Sequence, residues 1–241
     1  MYRIQKILST LGILSRRECE SKIKDGSIMV NNKVTLIGAK VKNGDRITYN
    51  NKNYIVNENI FLELDKILLY HKPCGEIVSR KDTHSRKTVF SNLPFVQGKW
   101  INIGRLDYNT SGLLLFTNNG NIANYLMHPS SNISRTYEVF IDSMLTDSEI
   151  SKCVHGVDIG KSETGQFTHI NKIYRKNEIK YLVTMNTGKN REIRRIFKTL
   201  KKRVIKLKRI EFSNIKLSGL KIGTHRYLTD KEKNLLRLPF D

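Results

Sequence analysis

Residues 104–116 read GRLDYNTSGLLLF and set one carboxylate, Asp107, between Arg105 and a polar stretch that runs into four apolar residues. Asp, Asn, Ser and Gly favour turns and LLLFT favours a strand, so Asp107 stands at the entrance to a buried strand. Two roles fit a carboxylate there. It can cap the turn by accepting a backbone N–H, or it can be held ionised and aimed for nucleophilic or base chemistry. A guanidinium from Arg105, or from the REIRR run at 191–195, would hold it charged and oriented. The residues alone leave both roles open.

Other chemistries lack their signatures. His71, His84, His128, His155, His169 and His225 show no H-x-x-H or H-x-x-x-H spacing, and no G-x-x-x-x-G-K-[ST] loop is present. Cys19, Cys74 and Cys153 are odd in number, far apart and in no C-x-x-C pair, so they read as ordinary thiols. Neither a metal nor a cofactor is therefore expected. No run of about 18 apolar residues exists, and the N-terminus lacks a signal-peptide pattern, so no membrane partner and a cytoplasmic location are expected.

The elements that must position Asp107 sit in a strongly basic chain of 241 residues, with 43 Lys+Arg against 22 Asp+Glu and a net charge of +21. Such a balance favours a polyanionic partner, most commonly nucleic acid. The charge is clustered: residues 189–209 hold eleven Lys/Arg and one acid, Glu192. On a helix over 190–202, Ile193, Ile196, Phe197 and Leu200 share one arc while Arg191, Arg194, Arg195, Lys198, Lys201 and Lys202 share the other. Cations without interleaved acids repel one another, which favours a phosphate-facing role over a merely solvated face.

Ile4, Ile7, Leu8 and Leu11 mark one face of a first helix stopped by Gly12, and Ser15 with Glu18 forms a capping box that opens a second, ended near Gly26. Arg3, Lys6, Arg16, Arg17, Lys22 and Lys24 lie on or beside these helices, off the apolar stripe. Short β-prone pieces follow, separated by turns at Asn31-Asn32 and Asn43-Gly44-Asp45. Residues 50–65 read as a linker, giving domains at 1–60 and 65–241. Beyond it, β-prone runs such as KILLYHKP, RTYEVFI, EIKYLVTM and VIKLKRIEF alternate with helical patterns at 119–127, 145–155, 190–202 and 229–237. This predicts an α+β fold: a small N-terminal RNA-binding domain, then a mostly antiparallel mixed sheet flanked by helices.

The stretch IQKILSTLGILSRRECESKIKDGSIMVNNKV resembles the S4-type RNA-binding domain. GRLDYNTSGLLLFTNNGNIANYLMHPS, SRTYEV, GKNREIRRIF and GLKIGTHRYLTDKE resemble, in the family's order, the bacterial RsuA-type ribosomal RNA pseudouridine synthases. YHKPCGEIVSRKDTHSRKTVFSNLP is most similar to the pseudouridine synthase B branch of that family, the branch of the large ribosomal subunit. The resemblance implies isomerisation of uridine to pseudouridine in 23S ribosomal RNA by a monomer with no cofactor. The alternatives are a small-subunit 16S enzyme and a non-catalytic ribosome-assembly protein.

By position, the resemblance makes Asp107 the catalytic aspartate, Tyr137 the tyrosine that stacks on the target base, Arg194 the aspartate's partner and Leu207 an apolar residue against the base. Arg105 supports the site. Arg3, Lys6, Arg16, Arg17, Lys22, Arg135, Asn190, Arg191, Arg195 and Lys198 are expected to contact RNA. Tyr108, Ser111 and Lys189 depart mildly from the family pattern, and none of these touches the three central residues.

Overall fold

The computed structural model describes residues 1–61, 66–175 and 178–239. The start of the second domain expected at Asp65 and its end at Asp241 lie outside the described residues.

Two compact units divide the chain. The first comprises Met1–Lys66 together with Pro94–Ile101 and Thr117–Asn121; the second comprises Ile67–Leu93, Asn102–Phe116 and Ile122–Asp241. In the first unit, β1 (Tyr2–Arg3) leads into α1 (Ile4–Thr10) and α2 (Arg16–Lys24), followed by β2 (Ile28–Val30), β3 (Lys33–Val34), β4 (Lys40–Val41), β5 (Arg46–Tyr49) and β6 (Lys52–Ile55). The capping box is formed: the Ser15 hydroxyl accepts from Glu18 N, and the Glu18 carboxylate accepts from Ser15 N. Ile4, Ile7 and Leu8 meet Cys19 and Ile23 over the inner face of the sheet β3-β2-β5-β6, with Ile28, Val41 and Ile47 closing the core.

The linker expected at 50–65 is corrected, because residues 52–55 are strand. Asn50 and Asn51 adopt left-handed φ of 48° and 58°, which makes them the two-residue turn of a β5–β6 hairpin.

The elements that lie wholly or mainly in the second unit are β7 (Ile67–Lys72), β8 (Ile101–Ile103), β9 (Ser111–Thr117), α3 (Gly120–Met127), β10 (Arg135–Ile141), α4 (Asp147–His155), β11 (Val157–Asp158), β12 (Thr164–Gly165), β13 (His169–Arg175), β14 (Glu178–Met185), α5 (Glu192–Thr199), β15 (Val204–Phe212), β16 (Ile215–Lys216), β17 (His225–Tyr227) and α6 (Asp230–Leu235). Its main sheet runs β13-β14-β10-β15-β9-β7-β17, with β8 on β9 and β16 on β15. The β9–β15 pairing is parallel, whereas β10–β14, β10–β15 and β13–β14 are antiparallel, so the sheet is mixed and mostly antiparallel. Leu113, Leu114, Leu115 and Phe116 are all fully buried, as a central strand covered on both faces requires.

Gly112 allows β9 to approach β15. It has φ +114°, and a Cβ there would lie 2.1 Å from the Arg209 carbonyl oxygen, so no other residue fits without moving the strand that follows the Asp107 turn.

Candidate active site

The Asp107 turn is held by its main chain. Thr110 N donates to Asp107 O (3.0 Å), closing a four-residue turn. Gly75 N donates to Tyr108 O (2.9 Å), and Arg194 Nη2 donates to Asn109 O (2.8 Å). Lys72 Nζ donates to both Thr110 O (3.0 Å) and Asp107 O (3.2 Å). Four consecutive carbonyls, 107 to 110, are thus each tied to a donor, and two of the four donors are side chains from the end of β7 (Lys72) and from α5 (Arg194).

The Asp107 side chain has the opposite character. It is half-buried, and among the described residues no donor reaches its carboxylate within hydrogen-bond range, so it does not cap the turn. Of the two roles the sequence leaves open, the cap is absent. What remains is a free carboxylate on an over-determined turn, within the field of two cations, Lys72 and Arg194.

Arg194 departs from its expected geometry. Its guanidinium donates to the carbonyls of Asn109 and Val204 (3.2 Å for the latter), and among the described residues it forms no ion pair with Asp107. The expected direct pair is therefore corrected to a brace that acts on the turn carrying Asp107, with the charge felt at a distance. Partial burial and the neighbouring Arg191 pull its pKa down, and Asp107 opposes that shift. Arg194 Nε and the Thr110 hydroxyl are buried beside this turn without a hydrogen-bond partner.

Tyr137 and Leu207 lie on one face of the sheet. Tyr137 pairs with Arg209 across β10–β15, Val139 pairs with Leu207 two positions along, and Arg209 pairs with Gly112 on β9. Directly paired residues point to the same face, so Tyr137, Leu207 and Arg209 share it. Two strand spacings separate Tyr137 from Gly112, roughly 10 Å. Tyr137 and Leu207 are 7% and 6% exposed.

The basic residues separate into two groups. Arg195 is fully engaged: Nε on Ile159 O (2.9 Å), Nη2 on Gly160 O (2.6 Å), and Nη1 on the Glu163 carboxylate and Asn190 O. Arg135 directs Nη1 to the carbonyls of Ile133, Asn186 and Thr187. Both are expected at the RNA from the sequence; in the structure both act as clamps, the first holding the β11–β12 connection on α5 and the second holding the end of β14 on β10. Lys202 pairs with Glu149 at 3.4 Å, so acids absent from the local sequence arrive through the fold. The helix is also shorter than expected, because Lys201 takes φ +57° just beyond it.

Arg191, Lys198 and Lys201 remain exposed on the α5 side, and Asn190 is exposed beside them. Arg105 is exposed as well. In the first unit Arg3, Arg16 and Arg17 are exposed, Lys6 lies 5.8 Å from the Tyr2 ring centroid, and Lys22 pairs with Asp25 at 3.0 Å.

Three residues of the site region escape sequence reasoning. Lys72 is fully buried, and its one signal is its place at the end of the apolar run ILLYHK. Arg209, 2% exposed, donates Nε to Leu113 O at 2.7 Å, and nothing in its surroundings along the chain marks it. Glu192 is buried and accepts from Lys189 N and the Thr187 hydroxyl, both at 2.8 Å, so it shapes the loop before α5. Among the described residues no three His, Cys, Asp or Glu side chains gather as metal ligands, and no helix is long and apolar enough to cross a membrane.

Known proteins share this organisation. The sequence model of the RNA pseudouridylate synthase family matches residues 66–199, and that of the S4 domain matches residues 3–47. Proteins named ribosomal large subunit pseudouridine synthase B are 42% identical in Buchnera aphidicola subsp. Schizaphis graminum (92% of this chain, 88% of that one) and 37% identical in Vibrio cholerae (98% and 74%). The Pseudomonas aeruginosa protein of that name is 36% identical over 97% of this chain, which spans 61% of its length. A solved structure described as a pseudouridylate synthase superposes with a TM-score of 0.68 over 98% of this chain and all of its own, at 21% identity, and shares the fold. The chain is a member of the RNA pseudouridylate synthase family, with an S4 domain at its N-terminal end.

Proposed function

We propose that this chain isomerises specific uridines to pseudouridine in 23S ribosomal RNA, acting as a cytoplasmic monomer with Asp107 as the reacting carboxylate. The observation that carries the reading is the Asp107 turn, whose main chain is tied at every carbonyl from 107 to 110 while its carboxylate is left free. A structural capping residue would show the reverse. Family membership and the names of the relatives support the substrate class.

The reaction breaks the N1–C1′ bond of uridine, turns the uracil and joins C5 to C1′; C5 gives up its proton and N1 gains one, so nothing is added overall. A uridine stacked in a stem is out of reach, and flipping it out costs roughly a few kcal/mol. Tyr137 recovers part of that by stacking on the base, with Leu207 beside it on the same sheet face. Asp107 acts at the C1′ side of the flipped nucleotide, and Lys72 and Arg194 fix the turn that carries it.

Phosphates of the surrounding RNA are held by the exposed cations: Arg191, Lys198 and Lys201 near α5, and Arg3, Arg16 and Arg17 in the S4 unit. The test is to incubate the chain with 23S and 16S transcripts and map pseudouridine at nucleotide resolution. A discrete site in 23S RNA is expected. Modification of 16S RNA alone would reassign the substrate, and none in either would remove the activity.

A further inference from the structure

The Asp107 turn presents one aromatic ring to solvent. Tyr108, at its second position, is 45% exposed, whereas Tyr137 is 7% exposed. The backbone beneath the ring is fixed: Gly75 N donates to Tyr108 O (2.9 Å), and Thr110 N closes the turn on Asp107 O (3.0 Å). Among the described residues no second ring and no cation stacks on its faces. Arg86 lies within electrostatic range of its hydroxyl and is itself clasped by Asp82, through Nε at 3.1 Å and Nη2 at 2.5 Å. All of these residues belong to the second unit.

An exposed tyrosine is ordinary by itself. What sets this one apart is its place. It stands next to Asp107, their Cα atoms about 3.8 Å apart, on a turn whose carbonyls from 107 to 110 are all tied. A nucleotide bound beside the one on which Asp107 acts therefore comes within reach of the ring. Flipping a uridine out of a stem also deprives its neighbours of a stacking partner. Tyr137 cannot serve both bases, because it is nearly buried and is committed to the flipped uracil. A tyrosine has few rotatable side-chain bonds, so on a rigid turn it loses little entropy when a base settles on it. We propose that Tyr108 is a substrate-binding residue whose ring stacks on the base next to the flipped uridine, taking the uracil's former place in the stack. This deepens the reading of Asp107 as the reacting group and rests on it.

The test uses the full chain and a short RNA stem-loop spanning the uridine that mapping identifies. The RNA is made with its ordinary sequence, and with an abasic nucleotide immediately 5′ or immediately 3′ of that uridine. KM and kcat are measured for wild type, Tyr108→Ala and Tyr108→Phe, with a thermal melt of each. Stacking of a base on an aromatic side chain changes affinity roughly 5- to 150-fold. The stack forms on binding, so Tyr108→Ala should raise KM about tenfold at nearly unchanged kcat, and Tyr108→Phe should restore the wild-type KM. One of the two abasic RNAs should raise the KM of wild type about tenfold more than that of Tyr108→Ala, the signature of contact between the ring and the missing base.

A folded Tyr108→Ala with wild-type KM, a loss confined to kcat, or abasic effects of equal size in wild type and variant on both sides would overturn the proposal. Should Tyr108→Ala not fold, the wild type decides: the same KM for both abasic RNAs as for the ordinary one overturns it. Turnover by Asp107→Asn would instead overturn the reading of the site, while the comparison of abasic RNAs stood by itself.

Discussion

Replacing Arg194 separates bracing from charge. Its guanidinium spans two carbonyls, Asn109 O at 2.8 Å and Val204 O at 3.2 Å, and so ties the Asp107 turn to the strand that follows α5. Hydrogen bonds from a charged donor contribute about 1.5–3 kcal/mol each, and the solvent-exposed bond to Asn109 belongs at the lower end. Losing both costs roughly 3 kcal/mol of preference for the braced turn, which is on the order of a hundredfold in the population that presents Asp107 correctly. Arg194→Ala should therefore lower kcat about a hundredfold at nearly unchanged KM.

Arg194→Lys is the more telling variant. It keeps the positive charge, but a single ammonium cannot reproduce the fork across two carbonyls, so an intermediate loss of about tenfold is expected. Single-turnover pseudouridine formation on a 23S transcript, with a thermal melt of each variant, reads both effects. Wild-type kcat in Arg194→Ala would refute the brace. Full activity in Arg194→Lys together with an inactive Arg194→Ala would show that charge alone matters.

Two further outcomes follow from the same geometry. Arg195→Ala should lower the melting temperature while leaving the salt dependence of RNA binding unchanged, because its guanidinium is spent on Ile159, Gly160, Glu163 and Asn190. Lys198→Ala should instead reduce the log–log salt slope by about one with an unchanged melt; filter binding across a salt series distinguishes them, and the reverse pattern would contradict the division between clamps and phosphate ligands. Lys72 also links stability to pH. Its pKa falls from the ordinary 10.5 to about 8 on folding, so between these values the unfolded chain holds the extra proton and stability rises with pH. Relative to Lys72→Met, the wild type should gain up to about 3 kcal/mol across that window in denaturant titrations; a constant difference would refute the shift.

What is legible in the sequence is local. The Ser15–Glu18 capping box closes within three residues, and the run Leu113–Phe116 shows its double-sided burial in its composition. The Asn31-Asn32 turn is plain along the chain, yet the same signal at Asn50-Asn51 reads as a linker, since the strand after it opens on the polar Lys52 and Asn53. The roles of Arg135 and Arg195 are hidden for a different reason. Their acceptors lie as far as 52 and 36 residues away, so no window along the chain distinguishes a clamp from a phosphate ligand. Family resemblance locates Asp107 and Arg194 but carries over a direct pair, whereas in this chain the contact is made through the backbone of Asn109.

The central claim is that Asp107 reacts rather than caps. The most direct measurement is pseudouridine formation by Asp107→Asn, with RNA affinity and thermal stability recorded on the same preparation. No product is expected, with binding and melting close to wild type, since the free carboxylate bonds to nothing among the described residues. Product formation by the variant, or loss of folding in place of loss of chemistry, would contradict the claim.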